Sequence, residues 1–193
     1  MSSDPIKIFA EWFKEAKQTI AINPNAAALA TATTDGKPSV RMILLKNFDE
    51  HGFVFYTNLN SKKAKELAEN PQAALCYYWQ DMNKQVRIEG KVEQVSKEEA
   101  DKYFASRARE SQIGTWSSNQ SQPLSSLQEL DQRFRDYTEQ FKDKEIPRPE
   151  FWSGFRIVPD AIEFWKLGKY RLHERVCYKK TETDEWISYR LYP

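Results

Sequence analysis

Arg171-Leu172-His173-Glu174-Arg175 is the densest run of ionisable side chains in an otherwise strand-like region. In a regular strand Arg171, His173 and Arg175 share a face, because side chains alternate with period two. A histidine between two guanidinium groups can donate or accept one hydrogen bond to a substrate oxygen. Arg41-Met42-Ile43-Leu44-Leu45-Lys46 is built differently, with cations at the two ends of an apolar strand. Arg41 and Lys46 then point to opposite faces and can serve two anions. Asn60-Ser61-Lys62-Lys63 opens a helix, where backbone N–H groups, the helix dipole and two ammonium groups converge on a place for a phosphate. Tyr103, Arg107 and Ser111 follow at four-residue intervals, so a phenol, a guanidinium and a hydroxyl share one face if a single helix runs through them. That trio also suits a phosphate. Gln120-Ser121 can hydrogen-bond the polar edge of a heterocycle, and Trp165 can cover its ring. Each feature alone has an ordinary explanation as a solvated strand end, a solubilising lysine, a loop or a core tryptophan.

Periodicity sets the elements that must hold these groups. Asp4-Pro5 reads as an N-cap and first helical residue, and Ile6, Phe9, Trp12, Phe13, Ala16 and Ile20 recur at helical spacing until Asn23-Pro24. The period then becomes two, through Ala28, Ala30 and Ala32, then Val40, Met42 and Leu44, then Phe53 and Phe55, with turns at Asp35-Gly36 and His51-Gly52. Ser61 starts a short helix that runs through Glu69. Ala73, Leu75, Tyr77 and Trp79 alternate in the next strand, and another spans about residues 85–95. Capping boxes at Ser96/Glu99 and Ser125/Gln128 make residues 96–142 mainly helical, the second opening a helix with Leu127, Leu130, Phe134, Tyr137 and Phe141 on one stripe. After the stiff Ile146-Pro147-Arg148-Pro149 connector, residues 152–158, 161–165, 175–180 and 186–191 read as closing strands. Too few crossover helices remain for a parallel sheet. The expected fold is therefore α+β, a mostly antiparallel barrel with a smaller helical subdomain, in one domain over residues 1–193.

Composition narrows the function. Lys plus Arg is 29 and Asp plus Glu 28, a net charge of +1, so nucleic acid and anionic membranes are not expected partners and any anion site must be local. With two cysteines far apart and two histidines, neither a disulfide framework nor a metal site is expected. There is no leader-like pattern and no apolar run long enough to span a bilayer, so the expectation is a cytoplasmic protein.

Taken in order, RMILLK, YTN, NSKKAKEL, QVRIEG, SRARESQIGTWSSNQSQP, IPRP, IEFW and RLHER resemble the pyridoxine/pyridoxamine 5′-phosphate oxidases over about residues 4–193. The resemblance implies a split-barrel homodimer with FMN at the subunit interface. It assigns the cofactor to Arg41, Met42, Ile43, Leu44, Leu45, Lys46, Tyr56, Thr57, Lys62, Lys63, Gln85, Gln120, Ser121, Trp165 and Arg175. It assigns the substrate to Lys46, Tyr103, Arg107 and Ser111 at the phosphate, and to Arg171, Leu172 and His173 at the ring, with Arg171 and His173 catalytic. The implied reaction oxidises pyridoxine 5′-phosphate or pyridoxamine 5′-phosphate to pyridoxal 5′-phosphate, with dioxygen reduced to hydrogen peroxide. The same resemblance makes 96–142 a helical insertion and about 151–193 the dimerisation and active-site strands.

Some positions depart from the family pattern. Lys62 stands where arginine is common, keeping the charge but losing the bidentate fork. Lys166-Leu167-Gly168-Lys169-Tyr170 replaces a Gln/Gly-rich approach to the RLH motif, and Glu174 replaces an aspartate. Many members carry an N-terminal segment that closes over the substrate, which is expected here to be missing, truncated or supplied differently. Two other readings share the fold, a phenazine-pathway-type flavin oxidase and a non-catalytic flavin- or haem-binding split barrel. The retained SRARESQIG segment and the full substrate set weigh against both.

Overall fold

The computed structural model describes residues 4–193. Helix α1 (Pro5–Thr19) starts where Asp4 accepts a hydrogen bond from the Ile6 amide at 2.9 Å, as its sequence predicts. It buries Ile8, Phe9, Phe13 and Ala16, and Phe9 meets Phe48 and Phe53 edge-on with ring centroids 4.9 Å apart in each case. That cluster lies on the inner face of a curled antiparallel sheet.

Its strands are β1 (Ala26–Ala32), β2 (Pro38–Leu44), β3 (Asn47–Asp49), β4 (Gly52–Asn58), β5 (Gln72–Trp79), β6 (Lys84–Gln94), β7 (Trp152–Lys166), β8 (Glu174–Lys180) and β9 (Trp186–Arg190). The order is β2-β1-β5-β6-β7-β4-β3, with β8 and β9 continuing from the second half of β7. Strand β7 replaces the two separate strands expected over 152–158 and 161–165. Its register against β6 shifts so that Gly90 opposes Pro159 while Glu89 opposes Ala161, which leaves Asp160 as the extra residue of a bulge. The bulge lets one strand serve two parts of the barrel, pairing first with β4 and then with β8. Gly90 is required at this bend, because a Cβ there would lie 2.0 Å from the Val158 carbonyl oxygen.

Alternation in β1 and β2 is present, with the faces set by the curl of the sheet. Ala27, Leu29 and Thr31 point inward. Ala28, Ala30 and Ala32 take the outer side, and Val40 and Met42 beside them are 69% and 65% exposed. Helices α3 (Lys97–Ala105), α4 (Arg109–Ser117) and α5 (Leu127–Gln140) lie between β6 and β7, after the short α2 (Lys62–Glu69). Ser96 caps α3 as expected, by accepting from the Glu99 amide. The box of α5 sits one residue later than expected: Ser126 accepts from the Glu129 amide, and Ser125 hydrogen-bonds the Glu129 carboxylate. The adjacent serines make both frames legible, and the side chain of Glu129 favours the second. The expected α5 stripe is only partly covered: Leu127 is exposed, while Tyr137 and Phe141 pack on Trp116.

Candidate functional site

A cleft of about 920 Å³ opens between β2, β4, the start of α2, the α3–α4 turn and the loop at Gln120-Ser121. It is lined by Arg41, Met42, Ile43, Leu44, Lys46, Tyr56, Thr57, Lys62, Lys63, Tyr103, Arg107, Ser111, Gln120 and Ser121. Leu45 differs from its neighbours: it turns into the core at 3% exposure, because the chain leaves β2 there and its amide donates to the Asn25 carbonyl at 2.9 Å.

The cleft is cationic, with Arg41, Lys46, Lys62, Lys63 and Arg107 in its lining. Arg41 is held from behind, donating to the Thr31 hydroxyl and the Ser39 hydroxyl at 2.6 Å each and to Glu66 at 3.3 Å. Burial acts to raise the pKa of Glu66, but the Ser39 and Thr31 hydroxyls, Arg41 and Lys62 outweigh it and keep the carboxyl below its usual range. Lys63 donates to Thr57 and Ser61 hydroxyls and to the Gln120 side-chain oxygen, at 3.1, 3.4 and 2.9 Å. These acceptors are all neutral. Burial and the nearby Arg41 accordingly bring Lys63 down to about 8, with Glu66 partly opposing. Ser61 makes no side-chain cap to α2, so the first amides of that helix keep their donors free of one. A half-buried ammonium beside a guanidinium and an uncapped helix start fits a phosphate-bearing cofactor such as FMN.

The cleft also carries the expected substrate set, by a route different from the expected one. Tyr103, Arg107 and Ser111 do not share one helix. Helix α3 ends at Ala105, the Ser106 hydroxyl donates to the Tyr103 carbonyl at 2.7 Å, and α4 starts at Arg109. The turn folds the chain back, and all three still line the cleft. Arg107 lies 4.9 Å over the Trp152 ring and donates to the Thr115 hydroxyl at 2.6 Å. Burial lowers its pKa from the usual guanidinium value. Tyr56, Tyr103 and Trp152 form one cluster of near-parallel rings, with Tyr56 4.0 Å from Tyr103 and 5.2 Å from Trp152. Burial, with Glu99 second, pushes the Tyr56 phenol up to about 12, so it stays protonated at neutral pH.

Gln85, Trp165, Arg171, Leu172, His173 and Arg175 do not line this cleft. Gln85, Trp165 and Arg175 occupy one transverse row of the sheet across β6, β7 and β8. Strand β8 is five strand steps from β2 along the sheet. At roughly 4.8 Å per step that is on the order of 24 Å. Arg175 makes a bidentate pair with Glu163 at 2.7 and 3.0 Å, which raises its pKa. His173 lies 4.7 Å from Trp165 and accepts from the Gly168 amide at Nδ1, 3.3 Å away. The expected period-two face of Arg171, His173 and Arg175 does not form, because Lys169–Arg171 is a helical turn and β8 begins only at Glu174. Tyr170 and Arg171 take left-handed backbone, with φ of 55° and 66°, and Ser121 does the same at 69°. For residues other than glycine this costs about 1–3 kcal/mol each, a strain that concentrates at functional sites. Gly168 permits the tight approach, since a Cβ there would lie 1.8 Å from the Leu172 carbonyl oxygen.

Sequence reasoning did not single out Glu66, Thr31, Ser39, Trp152 or Glu163. The i,i+4 spacing of Lys62 and Glu66 was the available signal for one of them. The others depend on contacts between elements distant in sequence.

No helix among the described residues is long and apolar enough to cross a membrane, and no group of three or more metal-ligating side chains forms among them. A curled antiparallel sheet with a cationic cleft walled by aromatic rings defines a split-barrel protein. A family model described as Pyridoxamine 5′-phosphate oxidase matches residues 13–142, and one described as Pyridoxine 5′-phosphate oxidase C-terminal dimerisation region matches residues 152–193. The chain belongs to the pyridoxine/pyridoxamine 5′-phosphate oxidase family. It is 53% identical over 190 residues to the pyridoxine/pyridoxamine 5′-phosphate oxidase of Myxococcus xanthus, covering 98% of this chain and 92% of that protein. To the protein of that name from Trichormus variabilis it is 48% identical, over 100% of this chain and 90% of the relative. The solved structure of PhzG from Burkholderia lata, in complex with tetrahydrophenazine-1-carboxylic acid, superposes with a TM-score of 0.94 at 31% identity, covering 100% of this chain and 94% of that one. An FMN-binding protein from Nostoc punctiforme shares the fold at a TM-score of 0.80 and 16% identity, with 98% of each chain covered.

Proposed function

We propose that the chain acts in the cytoplasm as a homodimeric, FMN-dependent oxidase that converts pyridoxine 5′-phosphate or pyridoxamine 5′-phosphate to pyridoxal 5′-phosphate. The observation that carries this reading is one cleft lined by two groups of side chains suited to phosphate, Arg41, Lys62 and Lys63 in one and Lys46, Tyr103, Arg107 and Ser111 in the other. A phosphorylated flavin and a phosphorylated substrate need two such sets. FMN held there would supply the two-electron redox chemistry, with dioxygen and the substrate's proton leaving as hydrogen peroxide. The alcohol substrate yields the aldehyde directly; the amine also consumes one water and releases ammonia.

In this reading the protein supplies orientation and charge. Lys46, Tyr103, Arg107 and Ser111 hold the substrate phosphate, while Arg171 and His173 flank the ring and its phenolic oxygen. His173 presents Nε2, because Nδ1 is engaged by the Gly168 amide. Gln85, Trp165 and Arg175 complete the cofactor site from the partner chain. That none of the three lines the cleft within its own chain supports that arrangement. The helical insertion over 96–142 forms the substrate-phosphate wall, and strands 151–193 carry the dimer contact.

The test is anaerobic mixing of FMN-loaded protein with each substrate while the oxidised flavin band is followed. Bleaching that reverses in air, with pyridoxal 5′-phosphate formed, supports the proposal and ranks the two substrates. A yellow protein that neither substrate bleaches overturns it in favour of the phenazine-type or non-catalytic reading.

A further inference from the structure

We infer that Glu66 is a positioning residue, holding the Arg41 guanidinium in the pose that meets the phosphate of the cofactor. The inference rests on the FMN reading above and adds a residue to it that does not line the cleft.

Glu66 is 5% exposed, and an ionised carboxylate at that depth costs several kcal/mol unless it is fully partnered. Its partners come from three elements. The Thr31 hydroxyl of β1 donates to Oε2 at 2.5 Å, the Ser39 hydroxyl of β2 at 2.6 Å and Arg41 Nη2 at 3.3 Å. Its other oxygen, Oε1, faces Lys62 Nζ at 3.8 Å. Thr31 and Ser39 each work twice, accepting from Arg41 while donating to Glu66. A hydroxyl has one proton, and the carboxylate, which can only accept, takes it in both cases. Both hydroxyl lone pairs are thereby turned toward the guanidinium, and Arg41 is fixed in one plane.

Charge gives the second half of the argument. Arg41, Lys62 and Lys63 all line the cleft, where without a ligand their mutual repulsion opposes the arrangement. Glu66 pairs with both Arg41 and Lys62 while itself buried and outside the cleft lining. It therefore stabilises the cluster without occupying the space a phosphate would take.

A purely structural role, riveting α2 to β1 and β2, is the alternative. Binding of FMN and of riboflavin, measured by flavin fluorescence quenching, separates the two because riboflavin lacks the phosphate. In Glu66→Gln the affinity for FMN is expected to fall about tenfold, with riboflavin within about twofold of wild type. In an Arg41→Gln background, adding Glu66→Gln is expected to change FMN affinity little, because the carboxylate acts through the guanidinium. Equal losses for FMN and riboflavin, additive losses in the double variant, or no loss at all would each overturn the inference. If Glu66→Gln does not fold, Ser39→Ala removes one acceptor of Arg41 and leaves the carboxylate charged. It is then expected to weaken FMN alone by about threefold, and an unselective loss or none refutes the role. Wild-type protein that binds neither flavin would remove the cofactor reading and this inference together. Wild type that prefers FMN, beside an unchanged Glu66→Gln, would sink the inference alone.

Discussion

The cleft beside β2 and the β7–β8 connection carry chemically similar groups and hold them in opposite ways. In the cleft, Arg41 and Arg107 are each locked from behind, the first by Thr31, Ser39 and Glu66, the second by Trp152 and Thr115. At β7–β8, Arg171 and Leu172 are exposed, and the turn that carries them uses left-handed backbone at two successive non-glycine residues. One region is finished within the chain. The other is a strained turn with Tyr170, Arg171 and Leu172 exposed, followed by His173 packed on Trp165. The difference teaches that the guanidinium groups of the cleft are immobilised by their own chain, whereas the turn before β8 leaves Arg171 and Leu172 in solvent.

The largest effect expected from that contrast is at Arg107. Arg107→Ala should raise the KM for either phosphorylated substrate about 100-fold while FMN stays bound, measured by steady-state kinetics beside flavin absorbance. Loss of FMN at unchanged KM would move Arg107 to the cofactor set. Next comes His173→Ala, expected to slow anaerobic flavin reduction about 30-fold without altering flavin affinity. Parallel loss of both would make the β7–β8 turn structural. Gly168→Ala should slow reduction about tenfold, because the added Cβ would meet the Leu172 carbonyl oxygen and displace His173. Unchanged turnover in that variant would show that the turn's geometry is dispensable. The smallest effect concerns pH. Lys63 titrates near 8 in the free protein, so it is charged below that value and loses its proton as pH rises through it. FMN affinity should fall about threefold across that range while riboflavin affinity stays level, as read by fluorescence titration. A fall shared by both flavins would place the titrating group elsewhere.

Much of the fold was legible because it rests on local rules. Asp4-Pro5, Ser96 and the alternation of Leu75, Tyr77 and Trp79 mark elements that form as their patterns predict. The family was legible as an ordered set of motifs, yet two groups of candidate residues take a local geometry other than the one their spacing predicts. Tyr103, Arg107 and Ser111 converge because α3 stops and the chain folds back at Ser106, whereas helical spacing alone would have continued the helix. Arg171, His173 and Arg175 were read as strand, but left-handed non-glycine turns have no propensity signature to announce them.

By itself, then, the sequence determined element type, the antiparallel barrel class, the family, and which residue types gather in each motif, since these follow from spacing and side-chain chemistry. Tertiary structure alone decided that Glu66 sits behind Arg41, that Trp152 floors Arg107, and that the β8 residues lie outside the cleft. Those relations join residues 25, 45 and more positions apart, through sheet register and a bulge at Asp160. A one-residue slip in register turns every side chain to the other face, so no local pattern can fix such contacts.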